Sequence, residues 1–288
     1  MFGYFSHHKC GTVWATSVID DVCAAAGLTA VRHDNDTRFA GDILEWRKSH
    51  PFDFWCYTNA DYTFVRGVEV AGFHVVRDPR DLVVSAYFSH LYSHPEQGWP
   101  RLGHYRRFLR TLSEEEGLLR EMEFSAPVMA DMLVWDEHPP GIRLVHFEDL
   151  IAAPAPRFCE IFADLGILPG RVSEATVREI VARHAFERLS GGRKKGQEDL
   201  RHHFRKGTPG DWRNHFTPRH TEYFWRLYSS LLVKLGYESG DDWAAEAREA
   251  ITATPGSGRS AAFPTTAPPR SETPRRRWAW LPIRDAPR

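Results

Sequence analysis

The chain has 288 residues, 42% of them apolar and 26% charged, which is enough for one large α/β domain with a real core. Lys and Arg number 37 against 38 Asp and Glu. The stretch Thr252 to Arg288 holds seven Arg and two acids, so on a whole-chain charge of −1 the first 251 residues carry a net −6. A body of that sign excludes a generally basic nucleic-acid surface, and the absence of any run of 18 apolar residues excludes a membrane-spanning helix.

Taken in chain order, short apolar runs alternate with helical patterns, the signature of βαβ units around a parallel sheet. Phe2 to Phe5 is the first strand. The loop Ser6-His7-His8-Lys9-Cys10-Gly11 follows, and then a helix from about Thr12 to Ala26, with Ala15, Val18, Ile19 and Val22 at helical spacing and Gly27 as its stop. Thr29 to Arg32 and Phe52 to Thr58 read as strands. Phe73 to Val76 is another, running into Arg77-Asp78-Pro79-Arg80-Asp81 and a helix with Leu82, Val83, Tyr87 and Leu91 on its apolar side. Arg143 to His146 is the last core strand, with helices near Pro154 to Leu165 and Ser173 to His184. The final helix takes Thr217 as N-cap, Pro218 at its first position, an apolar stripe through Phe224, Leu227, Tyr228, Leu231 and Leu235, and Gly236 as its end. The domain spans 1–251. Residues 252–288, with seven prolines and no apolar periodicity, read as a disordered Pro/Arg-rich tail.

The four cysteines, Cys10, Cys23, Cys56 and Cys159, stand singly, which argues against a disulfide framework or structural zinc and suits a reducing compartment. Met1 leads into the first strand without a charged n-region or cleavage site. The chain therefore reads as cytoplasmic, with no signal peptide.

A strand that turns through a small loop into a helix start makes an anion site, because the first helical N–H groups lack partners and the dipole favours negative charge. Lys9 supplies a cation, Gly11 lets the backbone approach an oxyanion, and Thr12 adds a hydroxyl. The Walker pattern is absent, since the lysine precedes the glycine, so a magnesium-dependent nucleotide hydrolase is disfavoured. His90 and His94 have a spacing compatible with zinc, but no third-ligand pattern accompanies them.

Lys9-Cys10-Gly11-Thr12-Val13-Trp14 resembles the Lys-Ser-Gly-Thr-Thr-Trp loop of the cytosolic-type sulfotransferases. In that family the loop holds the 5′-phosphosulfate of PAPS, 3′-phosphoadenosine 5′-phosphosulfate. Three more segments follow in the family's order. Arg77 to Ser85 resembles its 3′-phosphate motif, Phe147-Glu148-Asp149-Leu150 its Tyr-Glu-Asp-Leu turn, and Arg205-Lys206-Gly207-Thr208-Pro209-Gly210-Asp211-Trp212 its Arg-Lys-Gly-x-x-Gly-Asp-Trp loop.

The resemblance implies a three-layer α/β/α fold with a central parallel sheet, like that of P-loop NTPases, and transfer of a sulfuryl group from PAPS to a hydroxyl. It implies a cofactor site of Lys9, Cys10, Gly11, Thr12, Val13, Trp14, Arg77, Ser85, Phe147, Phe186, Arg205, Lys206 and Gly207. The physical reading agrees: PAPS carries anions at both ends, and each needs a cation with hydrogen-bond donors. Lys9 and the helix start serve the leaving phosphate, so no metal is required; the aromatic rings serve the adenine. In animal and plant members a histidine takes the acceptor's proton, but the matching position here is Asn59. Because other sulfotransferases place a carboxylate just after the second strand, His33 is the first choice of base, Asp34 the second and Asp61 the third. His8, beside Lys9, is a further candidate for the base or for orienting the sulfate.

Arg213, Thr217 and Glu222 resemble the family's dimerisation pattern, which implies a homodimer. The expected partner is a small-molecule hydroxyl acceptor, with Phe39, Trp46, Trp55, Tyr57, Tyr62, Phe88, Tyr92 and Trp99 as pocket candidates. A nucleotide-binding protein without turnover and a P-loop kinase are the alternatives.

Overall fold

A computed structural model describes residues 1–34, 41–97, 99–135, 141–245 and 249. The tail from Thr252 lies outside the described residues, as does Phe39. Five strands form one sheet: β1 (Phe2–Ser6), β2 (Ala30–His33), β3 (Phe54–Thr58), β4 (Ala71–Val76) and β5 (Ile142–His146). Their order is β2-β3-β1-β4-β5, and every pair is parallel.

The helices and the alternation of strand side chains make three layers. Tyr4, Phe54, Cys56, Phe73 and Val75 turn to one face and pack with α1 (Thr12–Ala25) and α4 (Pro79–Phe88). Phe5, Trp55 and Tyr57 turn to the other, against Ile43 of α2 (Ile43–Ser49), Val65 of α3 (Tyr62–Val65) and Trp135. Burial on both faces explains why these strands are apolar throughout rather than alternating.

The chain leaves β1 toward β2, returns through β3, and crosses to β4 and β5. The order therefore reverses between β1 and β4, the switch point at which open sheets of this class bind ligands. Lys9 follows the first of these strands and Arg77 the second.

The helix expected after Asp81 begins earlier and ends differently. Asp78 caps α4 by accepting from the N–H of Arg80, and Pro79 takes the first position. Beyond Phe88 the chain widens into a π turn, Ser89–Ser93, closed by the His94 N–H to the Ser89 carbonyl at 2.7 Å. Between the π turn and β5 lie three described helices that the periodicity left unassigned: α5 (Pro100–Leu109), α6 (Glu114–Phe124) and α7 (Ala126–Leu133). The start of α6 carries a local signal, Ser113 as cap and Glu114, Glu115 and Glu116 in the first turn.

After β5 come α8 (Phe147–Ala152), α9 (Pro154–Asp164), α10 (Glu174–Arg183), α11 (Phe186–Leu189) and α12 (Pro218–Lys234). Thr217 caps α12 as expected, and His220 completes a capping box. The apolar stripe is shifted: Leu227 is 44% exposed while Leu232 is fully buried. Leu227 sits at the edge of the arc centred on Phe224, Tyr228 and Leu235.

Candidate functional site

The loop after β1 is built around two left-handed residues, Lys9 at φ 64° and Gly11 at φ 74°. A Cβ on Gly11 would stand 2.4 Å from Cε2 of Phe147, so both backbone and space require glycine. Gly11→Ala is expected to cost about 1–2 kcal/mol in strain alone and lower Tm by roughly 2–8 °C. An unchanged Tm in a calorimetric scan would contradict this.

Thr12 Oγ1 lies 3.2 Å from Ser6 Oγ and donates to the His7 carbonyl at 3.2 Å. The N–H groups of Gly11, Thr12, Val13 and Trp14 have no hydrogen-bond partner among the described residues, leaving four donors open at the head of a 14-residue helix. Cys10, expected at the cofactor, instead spends both donors inside the loop: its N–H on the His7 carbonyl at 3.2 Å and its thiol on the His8 carbonyl at 3.7 Å. Burial pushes that thiol up to about 12, so Cys10 shapes the loop from within. The Val13 side chain is 43% exposed on the first turn, and Trp14 meets Phe147 and Phe158 edge-on at 6.5 and 5.4 Å.

Lys9 is half-buried, and its ammonium makes no hydrogen bond or salt bridge among the described residues. Burial, with the charges of Arg77 and Arg205, lowers it to about 7, while Glu121 pulls the other way. Arg77 is 8% exposed. Its Nη1 donates to the Lys9 carbonyl at 3.1 Å, its Nη2 is 4.0 Å from Asp81, and its guanidinium lies over Phe147 at 5.2 Å. Its Nε is buried with no partner, a donor that an anion would satisfy. Ser85 is half-buried on α4, and its hydroxyl makes no bond among the described residues.

The 205–212 loop folds onto α4. Arg205 Nη2 reaches Asp211 at 2.5 Å, its Nη1 pairs with Glu198, and its guanidinium lies over Phe88 at 4.7 Å. Phe88 is one turn beyond Ser85 and so shares its helix face. Lys206 pairs with the same Asp211. Burial opposes ionisation of Asp211, but hydrogen bonds from His215, Lys206, Asn214 and Arg205 win and hold its carboxyl far below the usual range. Gly207, at φ 71°, brings the backbone against the Phe186 ring, where a Cβ would stand 2.6 Å away. Asp81, which the sequence offered only as one charge in a cluster, docks the loop: it accepts from the N–H of Gly210 at 2.6 Å and of Trp212 at 2.9 Å.

The candidate bases fare differently. His33 is buried, and its Nδ1 accepts the Trp55 indole N–H at 3.0 Å, so the neutral ring carries its hydrogen on Nε2 and the lone pair needed for proton capture is used. This corrects the first choice. Asp34 accepts from Thr58 Oγ1 at 3.0 Å and Asn59 Nδ2 at 2.7 Å, and Asp61 caps α3 through Thr63. His8 stacks on His90 at 5.3 Å, and burial lowers it well below the ordinary value, with His90, Lys9, His94 and His203 adding to the effect.

His90 is paired with Glu121 at 3.0 Å, a buried contact that no spacing announces. Among the pocket candidates, Trp55 and Tyr57 belong to the core. Glu198, Asp211 and His215 are close enough together to hold a cation, but Asp211 is already filled by Arg205 and Lys206. In the expected dimer segment, Arg213 lies over Trp212 at 4.4 Å and Glu222 pairs with Arg226.

Fold and site thus define a parallel α/β domain that gathers Lys9, four open N–H groups, Arg77, Arg205 and Lys206 around the loops that leave β1 and β4. Residues 73–236 match the family model described as the sulfotransferase domain, and the chain belongs to that family. The match includes Arg77, Ser85, Phe147, Phe186 and Arg205 to Gly207 and begins after the Lys9 loop. No curated protein matches the sequence. Among solved structures, mouse sulfotransferase SULT7A1 complexed with PAP aligns with a TM-score of 0.56 at 20% identity, over 88% of each chain, and shares the fold. A retinol dehydratase in complex with androsterone and inactive cofactor PAP aligns at 0.49 and 14% identity, over 80% of each chain. Among the described residues no helix is long and apolar enough to cross a membrane.

Proposed function

We propose that the protein transfers the sulfuryl group of PAPS to a hydroxyl of a small-molecule acceptor, leaving PAP, adenosine 3′,5′-bisphosphate. It works in the cytoplasm, as a homodimer through the 213–222 segment. The observation that carries this reading is the pairing of two unfilled anion sites across an aromatic wall. At one stand the unpaired Lys9 ammonium and four open N–H groups; at the other, the orphaned Arg77 Nε and the Ser85 hydroxyl; Phe147 lies between.

In this reading the N–H groups of Gly11 to Trp14 and the Thr12 hydroxyl hold the 5′-phosphosulfate. Lys9 neutralises the bridging oxygen as it leaves with the electron pair. Arg77, Ser85, Arg205, Lys206 and the Gly207 backbone take the 3′-phosphate, and Trp14, Phe147 and Phe186 flank the adenine. The Lys9 ammonium and the helix donors together meet the charge that builds on the leaving phosphate.

Arg77→Met is expected to weaken PAP binding by about 1.5–3 kcal/mol, roughly 10- to 150-fold; unchanged affinity would misplace the 3′-phosphate site. The function itself is tested by incubating the protein with sulfur-labelled PAPS and a panel of phenols and alcohols. Label in an acceptor with matching PAP release supports transfer. Label that stays in PAPS across the panel, in a protein that also fails to bind PAP, contradicts it.

A further inference from the structure

The π turn at Ser89–Ser93 interrupts the helical register where α4 leaves the site, and such turns are frequent at functional positions. It buries His90, 2% exposed, against α6. Nδ1 of His90 lies 3.1 and 3.0 Å from the two oxygens of Glu121. Glu121 is fully buried and forms no ion pair with Lys or Arg among the described residues; Ser125 Oγ at 2.9 Å and Tyr105 Oη at 3.1 Å donate to it as well. A carboxylate can only accept, so Nδ1 carries the hydrogen and the lone pair is on Nε2. That Nε2 is buried and has no hydrogen-bond partner.

A buried ring nitrogen left without a partner is costly in a folded interior, and this one has a lone pair free to take a proton. Its surroundings are those of the candidate site. His8, the neighbour of Lys9, stacks on the ring at 5.3 Å and 9°, and His94 and Trp99 stand at 5.8 and 5.3 Å. Lys9 feels the charge of Glu121, and His8 and His94 feel that of Lys9.

We infer that His90, oriented by Glu121, is the general base of the transfer; the inference rests on the sulfotransferase reading above. The acceptor oxygen bonds to the sulfur of PAPS, and the bond from sulfur to the bridging oxygen breaks, its electron pair leaving on the phosphate of PAP. The hydroxyl proton passes to Nε2 of His90, and Glu121 balances the imidazolium that forms. His90 is the residue that touches the acceptor; Glu121 is a positioning residue.

The pH dependence of kcat isolates this step. The groups facing His90 are His8 and Lys9 from the β1 loop, Tyr105 and Arg106 from α5, Glu121 from α6 and His94 from its own turn, with Glu96 paired to Arg106. Burial lowers His94 and, near Lys9, His203 to about 4, so both stay neutral above pH 5. Lys9 is held charged by the bound phosphosulfate, and kcat reports the complex.

The full chain is assayed with PAPS and either 4-nitrophenol or water as acceptor, reading PAP release. His90→Gln is expected to lower kcat by about 10²–10⁴-fold and abolish its rise with pH, with PAP affinity within about threefold of the parent. Glu121→Gln keeps an acceptor for Nδ1–H and removes the charge, and is expected to move that rise to lower pH, which a residue that merely packs would leave in place. A second readout needs no acceptor: in nitrogen NMR at about pH 8, the signals missing from His90→Gln report hydrogen on Nδ1 and none on Nε2. Turnover in His90→Gln within about threefold of the parent, an unaltered pH rise, or hydrogen on Nε2 overturns the assignment. If the parent itself fails to bind PAP, the donor reading falls and takes this one with it; intact PAP binding beside an unaffected variant sinks the dyad alone.

Discussion

Replacing Lys9 with Met is expected to lower sulfuryl transfer by about 10²–10³-fold, the scale of losing one preorganised group at a developing oxyanion, with the fold unchanged. The fold survives because Lys9 anchors nothing through its side chain among the described residues; it is the Lys9 carbonyl that receives Arg77, and any residue supplies it. The same lysine gives PAP binding a pH dependence of known sign. Burial and the neighbouring Arg77 and Arg205 lower the free ammonium to about 7. A bound phosphate favours the charged form and raises it again, so the complex takes up a proton on forming at pH values between the two. PAP affinity should therefore fall as pH rises above about 7, and Lys9→Met should remove that slope. Calorimetry in buffers of different ionisation enthalpy reads the proton directly. Near-normal turnover in Lys9→Met, or a slope that persists, would contradict the role.

Asp81→Ala is the larger change to the structure. The carboxylate is buried, accepts two backbone N–H groups from the 210–212 segment and faces the Arg77 guanidinium. Removing it strands both donors and one cation, at a cost of about 3–5 kcal/mol. For a domain of this size that lowers Tm by roughly 6–20 °C. Undocking the loop also removes Arg205 and Lys206 from the proposed 3′-phosphate site, so the loss should exceed that of Asp81→Asn, which keeps one acceptor oxygen. Equal melting temperatures for Asp81→Ala and the parent would show that the loop is held by other contacts.

The parts of this molecule legible in the sequence are those whose chemistry is local. Gly11 declares a turn, Asp78-Pro79 a helix start, and Thr217-Pro218 another, because each signal acts within a few residues of itself. Sequence patterns also marked the ligand side of the sheet, since the loops leaving β1 and β4 carry the unusual residues.

What was hidden depends on distant partners. The loop motif singled out Arg205 and Lys206, but not that both pair with the buried Asp211. His33 reads as a base with a suitable ordinary pKa until the Trp55 indole takes its lone pair. The pairing of His90 with Glu121 joins positions 31 apart through a π turn that breaks helical periodicity, so no spacing announces it. Leu227 shows the same limit on a smaller scale: the stripe was right in kind, but which edge of it meets α6 and α7 is decided by the neighbours.

The proposed function requires this chain to hold a PAPS-type nucleotide at the loops that leave β1 and β4. Calorimetric titration with PAP in the presence of EDTA, with ATP as control, decides it. PAP is expected to bind in the micromolar range without metal, more weakly to Arg77→Met, with no comparable binding of ATP. Absence of PAP binding, or binding of ATP that requires magnesium, would contradict it.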